Sequence, residues 1–241
     1  MTRLTVWSPQ RRNRRIVDVY LPPSYGDARR RYPVVYMQDG QNLADPATAF
    51  AGTWQLDEVL HDLSARGIEP IVVGIFNTPE RLAEYSPFPD RRHGGGAAAA
   101  YVSFVADTLK PRIDRMFRTR RQAASTAIVG SSMGGLLSVY AWFHRPDVFS
   151  HVAALSPSLW YGRERLFQFF ESTRLPRGRI HLDVGTAEGP EALRDVRAFR
   201  RLLEQKGIDG RLSYGEDRGA KHEEAAWSQR LGPALEFLLE D

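Results

Sequence analysis

Apolar and polar positions alternate over residues 4–8 and 15–21, the period of a strand with one buried face. The Arg11, Arg12, Asn13, Arg14 and Arg15 cluster where the two runs meet reads as a turn, so they predict an antiparallel hairpin at a sheet edge, ended by Pro22 and Pro23. The pattern then changes character. Residues 32–38 and 70–76 are almost continuously apolar, as strands covered on both faces should be. Pro33 falls at the start of the first, where a missing N–H is tolerated. Between them, Leu56, Val59, Leu60 and Leu63 fall on one face of a predicted helix over 55–66, stopped by Gly67.

The same alternation continues to the end of the chain. Strands are predicted over 126–129, 151–155, 179–184 and 211–214, and helices over 97–117, 134–143, 163–172, 191–205 and 223–239. Pro111 is expected to kink or break its helix, and Pro233 to disturb the last one. Residues 77–96 carry several prolines and end in Gly94, Gly95 and Gly96, and predict a long irregular loop. Strands alternating with helices imply an α/β fold: a mostly parallel central sheet with helices on both faces and the antiparallel hairpin at its N-terminal edge. No repeat, low-complexity stretch or linker divides the sequence, so residues 1–241 read as one domain.

Composition narrows the chemistry. There is no cysteine, which excludes disulfides, thiolate catalysis and thiolate metal sites. The formal net charge of +4 comes mostly from arginine, clustered only at 11–15 and 29–31 beside predicted turns. Those clusters read as solvated loop faces, and no nucleic-acid partner is expected. No apolar run approaches a membrane span, and residues 1–20 lack the apolar core of a secretory signal, so a cytoplasmic location is expected.

The strand at 126–129 feeds directly into Gly130-Ser131-Ser132-Met133-Gly134, and an apolar helical pattern follows at once. Strand, G-x-S-x-G and helix in that order is the context that holds a serine hydroxyl out at the end of a sheet as a nucleophile. Small residues at 130 and 134 let the backbone turn tightly. Such a serine needs a general base. Of the six histidines, His222 lies in the loop after the last strand and before the last helix, where the order serine, acid, histidine puts a base. The acid should follow the strand at 179–184; Glu188 sits just past its end, and Asp183 within it is the alternative. Oxyanion donors are expected from the backbone N–H groups of Met133 and, after Asp39-Gly40, Gln41.

Other motifs carry less. His93-Gly94-Gly95-Gly96 looks like a lipase oxyanion signature but follows the wrong strand, and reads as a flexible hinge. His222-Glu223-Glu224-Ala225-Ala226 lacks the second histidine of a zincin, and the glycines around Ser132 lack a P-loop lysine. Neither metal nor organic cofactor is expected. Arg81, Arg91 and Arg92 in the 77–96 loop read mainly as solvated.

These residues resemble the putative esterase family of α/β-hydrolases, which includes siderophore esterases, feruloyl and acetyl xylan esterases, esterase D and the antigen 85 mycolyltransferases. The resemblance runs through Tyr36-Met37-Gln38-Asp39-Gly40-Gln41-Asn42, Thr53-Trp54-Gln55-Leu56-Asp57-Glu58, Val73-Gly74-Ile75, the glycines around Ser132, Ala154-Leu155-Ser156-Pro157-Ser158, Asp183-Val184-Gly185-Thr186, and His222 with Trp227. It implies Ser132 as nucleophile, His222 as base, an acid near Glu188, and Gln41 and Met133 as oxyanion donors. It also implies that Trp54, Ser156 and Trp160 wall an acyl pocket. Many members carry aspartate as the acid, whereas the segment here is Thr186-Ala187-Glu188. The expected function is a serine carboxylesterase acting on a small-molecule ester. The rivals are an acyltransferase with an alcohol acceptor and an inactive hydrolase fold used for binding, which would be expected to have lost the serine or the histidine.

Overall fold

A computed structural model describes residues 1–27, 29–90 and 92–240 of the chain. The alternating segments form β1 (Thr2–Ser8) and β2 (Asn13–Tyr20), paired antiparallel with Thr2 opposite Val19 and Ser8 opposite Asn13. The continuously apolar segments form β3 (Val34–Met37) and β4 (Ile71–Ile75), with α1 (Leu56–Ala65) between them. β3 and β4 run parallel, and β4 also takes β2 antiparallel on its other side. Further along come β5 (Thr126–Ser131), α5 (Met133–His144), β6 (His151–Leu155), α6 (Arg163–Ser172), β7 (Ile180–Gly185), α7 (Pro190–Gln205), β8 (Leu212–Asp217) and α8 (Glu224–Leu239). The eight strands form one sheet in the order β1-β2-β4-β3-β5-β6-β7-β8, parallel from β4 to β8.

The pleat of the sheet sorts its side chains between two cores. Val34 and Tyr36 of β3 join Ile128, Val152, Ala154, Ile180 and Leu182 on one face, with Leu136 of α5, Phe170 of α6 and Phe199 of α7. Val35 and Met37 join Val129, Ala153 and Leu155 on the other, against Leu56 and Leu63 of α1 and Trp227, Leu231, Leu235 and Leu238 of α8. Burial of both faces explains why the central strands read as unbroken apolar runs. From Met133 to Phe143, α5 is buried all round, as a helix apolar on every side must be.

Three local expectations are corrected. The 77–96 loop contains a short helix, α2 (Arg81–Tyr85). The segment around Pro111 does not break: α3 (Ala98–Ser103) passes through a π-helical stretch (Phe104–Leu109) into α4 (Lys110–Met116). The wider hydrogen-bond spacing of that stretch, with the Lys110 N–H donated to the Val105 carbonyl, accommodates a proline that has no N–H of its own. α8 runs on through Pro233, because its apolar face is held by packing on the sheet. Among the described residues no helix is long and apolar enough to cross a membrane.

The turn from β5 to α5 depends on close approach rather than on glycine dihedrals. A Cβ on Gly130 would lie 2.5 Å from the Gly134 carbonyl carbon. Both atoms are backbone-fixed, so the clash could be relieved only by moving the strand or the helix. Gly130→Ala is therefore expected to lower unfolding stability by about 1–3 kcal/mol or more, read from a denaturant titration.

Candidate active site

Ser132 sits between β5 and α5 at φ 55° and ψ −124°, a conformation that costs a non-glycine residue about 1–3 kcal/mol. The surroundings hold it there. Its N–H donates to the Leu155 carbonyl at 3.0 Å, and its carbonyl accepts from Leu136 and Ser158, both at 3.0 Å. The result is a hydroxyl presented at the carboxyl end of the parallel strands.

The histidine and the acid predicted from chain order converge on that hydroxyl. His222 Nε2 is 2.8 Å from Ser132 Oγ. His222 Nδ1 is 2.7 Å from Glu188 Oε2. Glu188 is anchored as well as paired: its Oε1 accepts from the Gly185 N–H at 2.7 Å and from Ser156 Oγ at 2.5 Å. The Glu188 side chain is 1% exposed and that of His222 43%, so the acid is sheltered while the imidazole opens to solvent. Burial opposes ionisation of Glu188, but the hydrogen bonds from His222, Ser156 and Gly185 outweigh it, and the carboxyl titrates below the ordinary glutamate range.

Asp183 takes a different part. It is buried on β7, where Oδ1 accepts from Arg230 NH1 at 2.9 Å and Oδ2 lies 3.0 Å from His181 Nε2. On the face of β7 that meets α8 its carboxylate pairs with Arg230, while the His222 imidazole pairs with Glu188. Arg230 also donates to Ser156 Oγ at 3.1 Å, as does Trp227 Nε1 at 3.1 Å. Trp227 and Arg230 are three apart on α8, so they share a face, and that face braces the acid from below.

The residues expected to wall a pocket divide. Trp160 is 49% exposed beside the His93 ring. Trp54 is 2% exposed and packs on Trp227, whose ring meets the His222 ring edge-on at 4.9 Å. Ser156 is buried with its hydroxyl committed to Glu188, Trp227 and Arg230. Both lie under α8, behind the histidine and the glutamate. Ser158, which no sequence motif singles out, brings its Oγ within 3.2 Å of Ser132 Oγ.

The two expected oxyanion donors lie on adjoining elements. Met133 opens α5, whose first-turn N–H groups have no acceptor within the helix. Gln41 is in the short 3₁₀ turn Gly40–Asn42, its carbonyl accepting from Thr48 Oγ1 at 2.8 Å. The Gly94–Gly96 run, expected to be a hinge, is tied down: the Gly94 carbonyl accepts from Tyr161 Oη at 2.7 Å and the Gly96 N–H donates to Ser86 Oγ at 3.0 Å. Arg81 is engaged by Asp39. The Arg92 N–H donates to Asp90 Oδ1 at 2.8 Å, and Arg91 lies outside the described residues. Among the described residues no group of three or more His, Cys, Asp and Glu could hold a metal ion.

A family model described as "Putative esterase" matches residues 8–238. The chain belongs to that family. It is 29% identical over 240 residues to an uncharacterized protein, YbbA, of Bacillus subtilis, covering 94% of this chain and 92% of that one. It is 28% identical to an endo-1,4-beta-xylanase/feruloyl esterase of Xylanibacter ruminicola, covering 98% of this chain but 31% of that longer protein. The enterobactin esterase FES from Shigella flexneri, solved in the presence of enterobactin, superposes with a TM-score of 0.80 at 22% identity over 97% of this chain and 57% of that one. The last likeness establishes the α/β-hydrolase architecture of this esterase-family chain.

The anchoring of Glu188 has a measurable consequence. Its folded-state pKa lies below that of the unfolded chain, so between the two values the unfolded state binds more protons. The stability it contributes is complete above the ordinary glutamate pKa of about 4.3 and is lost as pH falls through the lower folded value. Denaturant titrations are expected to give a constant stability difference between wild type and Glu188→Gln above about pH 5, shrinking on further acidification.

Proposed function

We propose that this chain is a serine carboxylesterase that hydrolyses a small-molecule ester through an acyl-enzyme on Ser132. The observation that carries the reading is the continuous line from Ser132 Oγ through His222 to Glu188, with links of 2.8 and 2.7 Å. Both links lie within the reach required of a nucleophile, its base and the group that orients the base. Family membership supports the same chemistry, as does likeness across 98% of this chain to a protein named for feruloyl esterase activity.

In this reading His222 Nε2 takes the Ser132 proton as Oγ attacks the ester carbonyl carbon. Glu188 holds Nδ1 protonated and stabilises the imidazolium that forms. The negative oxygen of the tetrahedral intermediate turns toward the Met133 and Gln41 N–H groups. Collapse expels the alcohol, which takes its proton from Nε2. Water, deprotonated by the same nitrogen, then attacks the acyl-enzyme and the acid is released. The 43% exposure of His222 gives water a route to the base.

Short-chain p-nitrophenyl esters test the reading. Ser132→Ala and His222→Ala are each expected to lower kcat by about 10³-fold or more, and Glu188→Ala by roughly tenfold to a hundredfold less than that. Equal turnover by wild type and Ser132→Ala would overturn the mechanism. Harmless Glu188→Ala with damaging Asp183→Ala, both folded, would move the acid to Asp183. Product analysis with excess alcohol separates hydrolysis from acyl transfer. A panel of acetyl, feruloyl, acetyl-sugar and tricatecholate lactone esters reads out substrate choice.

A further inference from the structure

Asp39, which ends the strand side of the Gln41 loop, is held more tightly than its position in a loop requires. It is a non-glycine residue in the left-handed region, at φ 54° and ψ 48°. Its carboxylate receives Arg81 Nε on Oδ1 and Arg81 NH2 on Oδ2, both at 2.7 Å, and Asn77 Nδ2 on Oδ1 at 2.6 Å. Its own N–H donates to Tyr85 Oη at 3.2 Å. The Asn77 N–H reaches one step further, to Gln41 Oε1 at 3.2 Å. Arg81 and Tyr85 are four apart on α2 and share a face toward this loop, and Asn77 reaches it from the chain before the helix.

Two further contacts fix what that face is pressing on. A Cβ on Gly40 would lie 2.5 Å from the carbonyl carbon of Gly74, so the loop lies directly on β4. A Cβ on Gly134 would lie 3.4 Å from Asp39 Oδ2, so the carboxylate borders the first turn of α5, where Met133 is. α2 is anchored in turn through Glu84, which is buried and bonded to Arg11, Arg15 and Thr78. α2 thus links the β1–β2 hairpin to the loop that carries Gln41.

We propose that Arg81 is a positioning residue for the oxyanion hole, locking the Asp39–Gly40–Gln41 backbone and neutralising the Asp39 carboxylate beside the site where negative charge develops. This rests on the serine esterase reading above. The guanidinium touches neither Ser132 nor His222, and its side chain is only 32% exposed. Its effect is exerted through Asp39. A bidentate fork fixes both carboxylate oxygens, which a lysine ammonium cannot do. Without it the loop loses its anchor on α2, and an unpaired anion stands close to a second, developing one. Oxyanion donors act only when held near the position of the transition-state oxygen, so the loss falls on kcat rather than on ground-state binding.

The test uses a neutral substrate, p-nitrophenyl butyrate, and a trifluoromethyl ketone, whose adduct with Ser132 places an oxyanion in the hole. Arg81→Met is expected to lower kcat by about tenfold to a hundredfold with KM within about threefold. Affinity for the ketone should fall in the same proportion, and Arg81→Lys should recover part of both. Tyr85→Phe, which removes the acceptor for the Asp39 N–H, should give a smaller loss of the same form and stands in if Arg81→Met does not fold. Folded variants that keep kcat and ketone affinity within about twofold of wild type would overturn the proposal. So would a loss confined to the KM of anionic esters, which would make Arg81 a substrate contact. Failure of the esterase reading is seen separately, as equal turnover by wild type and Ser132→Ala.

Discussion

The contact between the backbones of Gly130 and Gly134 governs the carboxyl edge of the sheet. Because the helix starts within van der Waals reach of the strand it leaves, Ser132 has no room to adopt an ordinary backbone conformation. It is forced to φ 55°, and the strain is held by hydrogen bonds to β6 and to the loop that follows it. That same closeness puts the first turn of α5 beside the hydroxyl. The presented hydroxyl of Ser132 and the first-turn N–H groups of α5 are therefore products of one packing constraint.

Around this turn, the ionisable groups are each fixed by more than one partner. Glu188 is buried, yet it is held by a backbone N–H, a serine hydroxyl and the imidazole. Asp183, five residues earlier in the chain, is compensated by Arg230 and His181. A buried carboxylate persists where it is paired, and of the two it is Glu188 that takes the imidazole of His222 while Asp183 takes the close contact with Arg230. Asp39 and Arg81 repeat the arrangement on the other side of Ser132.

Much of this was legible in the sequence, for identifiable reasons. The strands covered on both faces appear as apolar runs at 32–38 and 70–76, and the hairpin as alternation, because burial acts directly on residue type. Ser132, His222 and Glu188 could be ordered because G-x-S-x-G and two loop positions after strands are local features. What failed to read was set by partners distant in the chain. α2 is a five-residue helix that reaches Asp39 through Arg81 and the β1–β2 hairpin through Glu84, so its residues look like an irregular loop. The packing of Trp54 and Ser156 beneath α8 joins segments that no local pattern connects. Arg230 gave no sign beyond its spacing of three from Trp227 on a helix otherwise read for its apolar face.

By itself the sequence determined the alternation of strands and helices, the two-faced burial of the sheet, and the serine and histidine, with a carboxylate between them in chain order, that meet at the edge of the sheet. Local periodicity and turn chemistry carry that information. Tertiary structure alone decided which carboxylate faces the imidazole, which aromatic residues remain at the surface, and that a short helix braces the Gln41 loop. Each of those depends on contacts between segments tens to more than a hundred residues apart, such as Ser132 with His222 (90 apart) and Asp39 with Arg81 (42 apart). No window of sequence records a distance of that kind; only the closure of the sheet sets it.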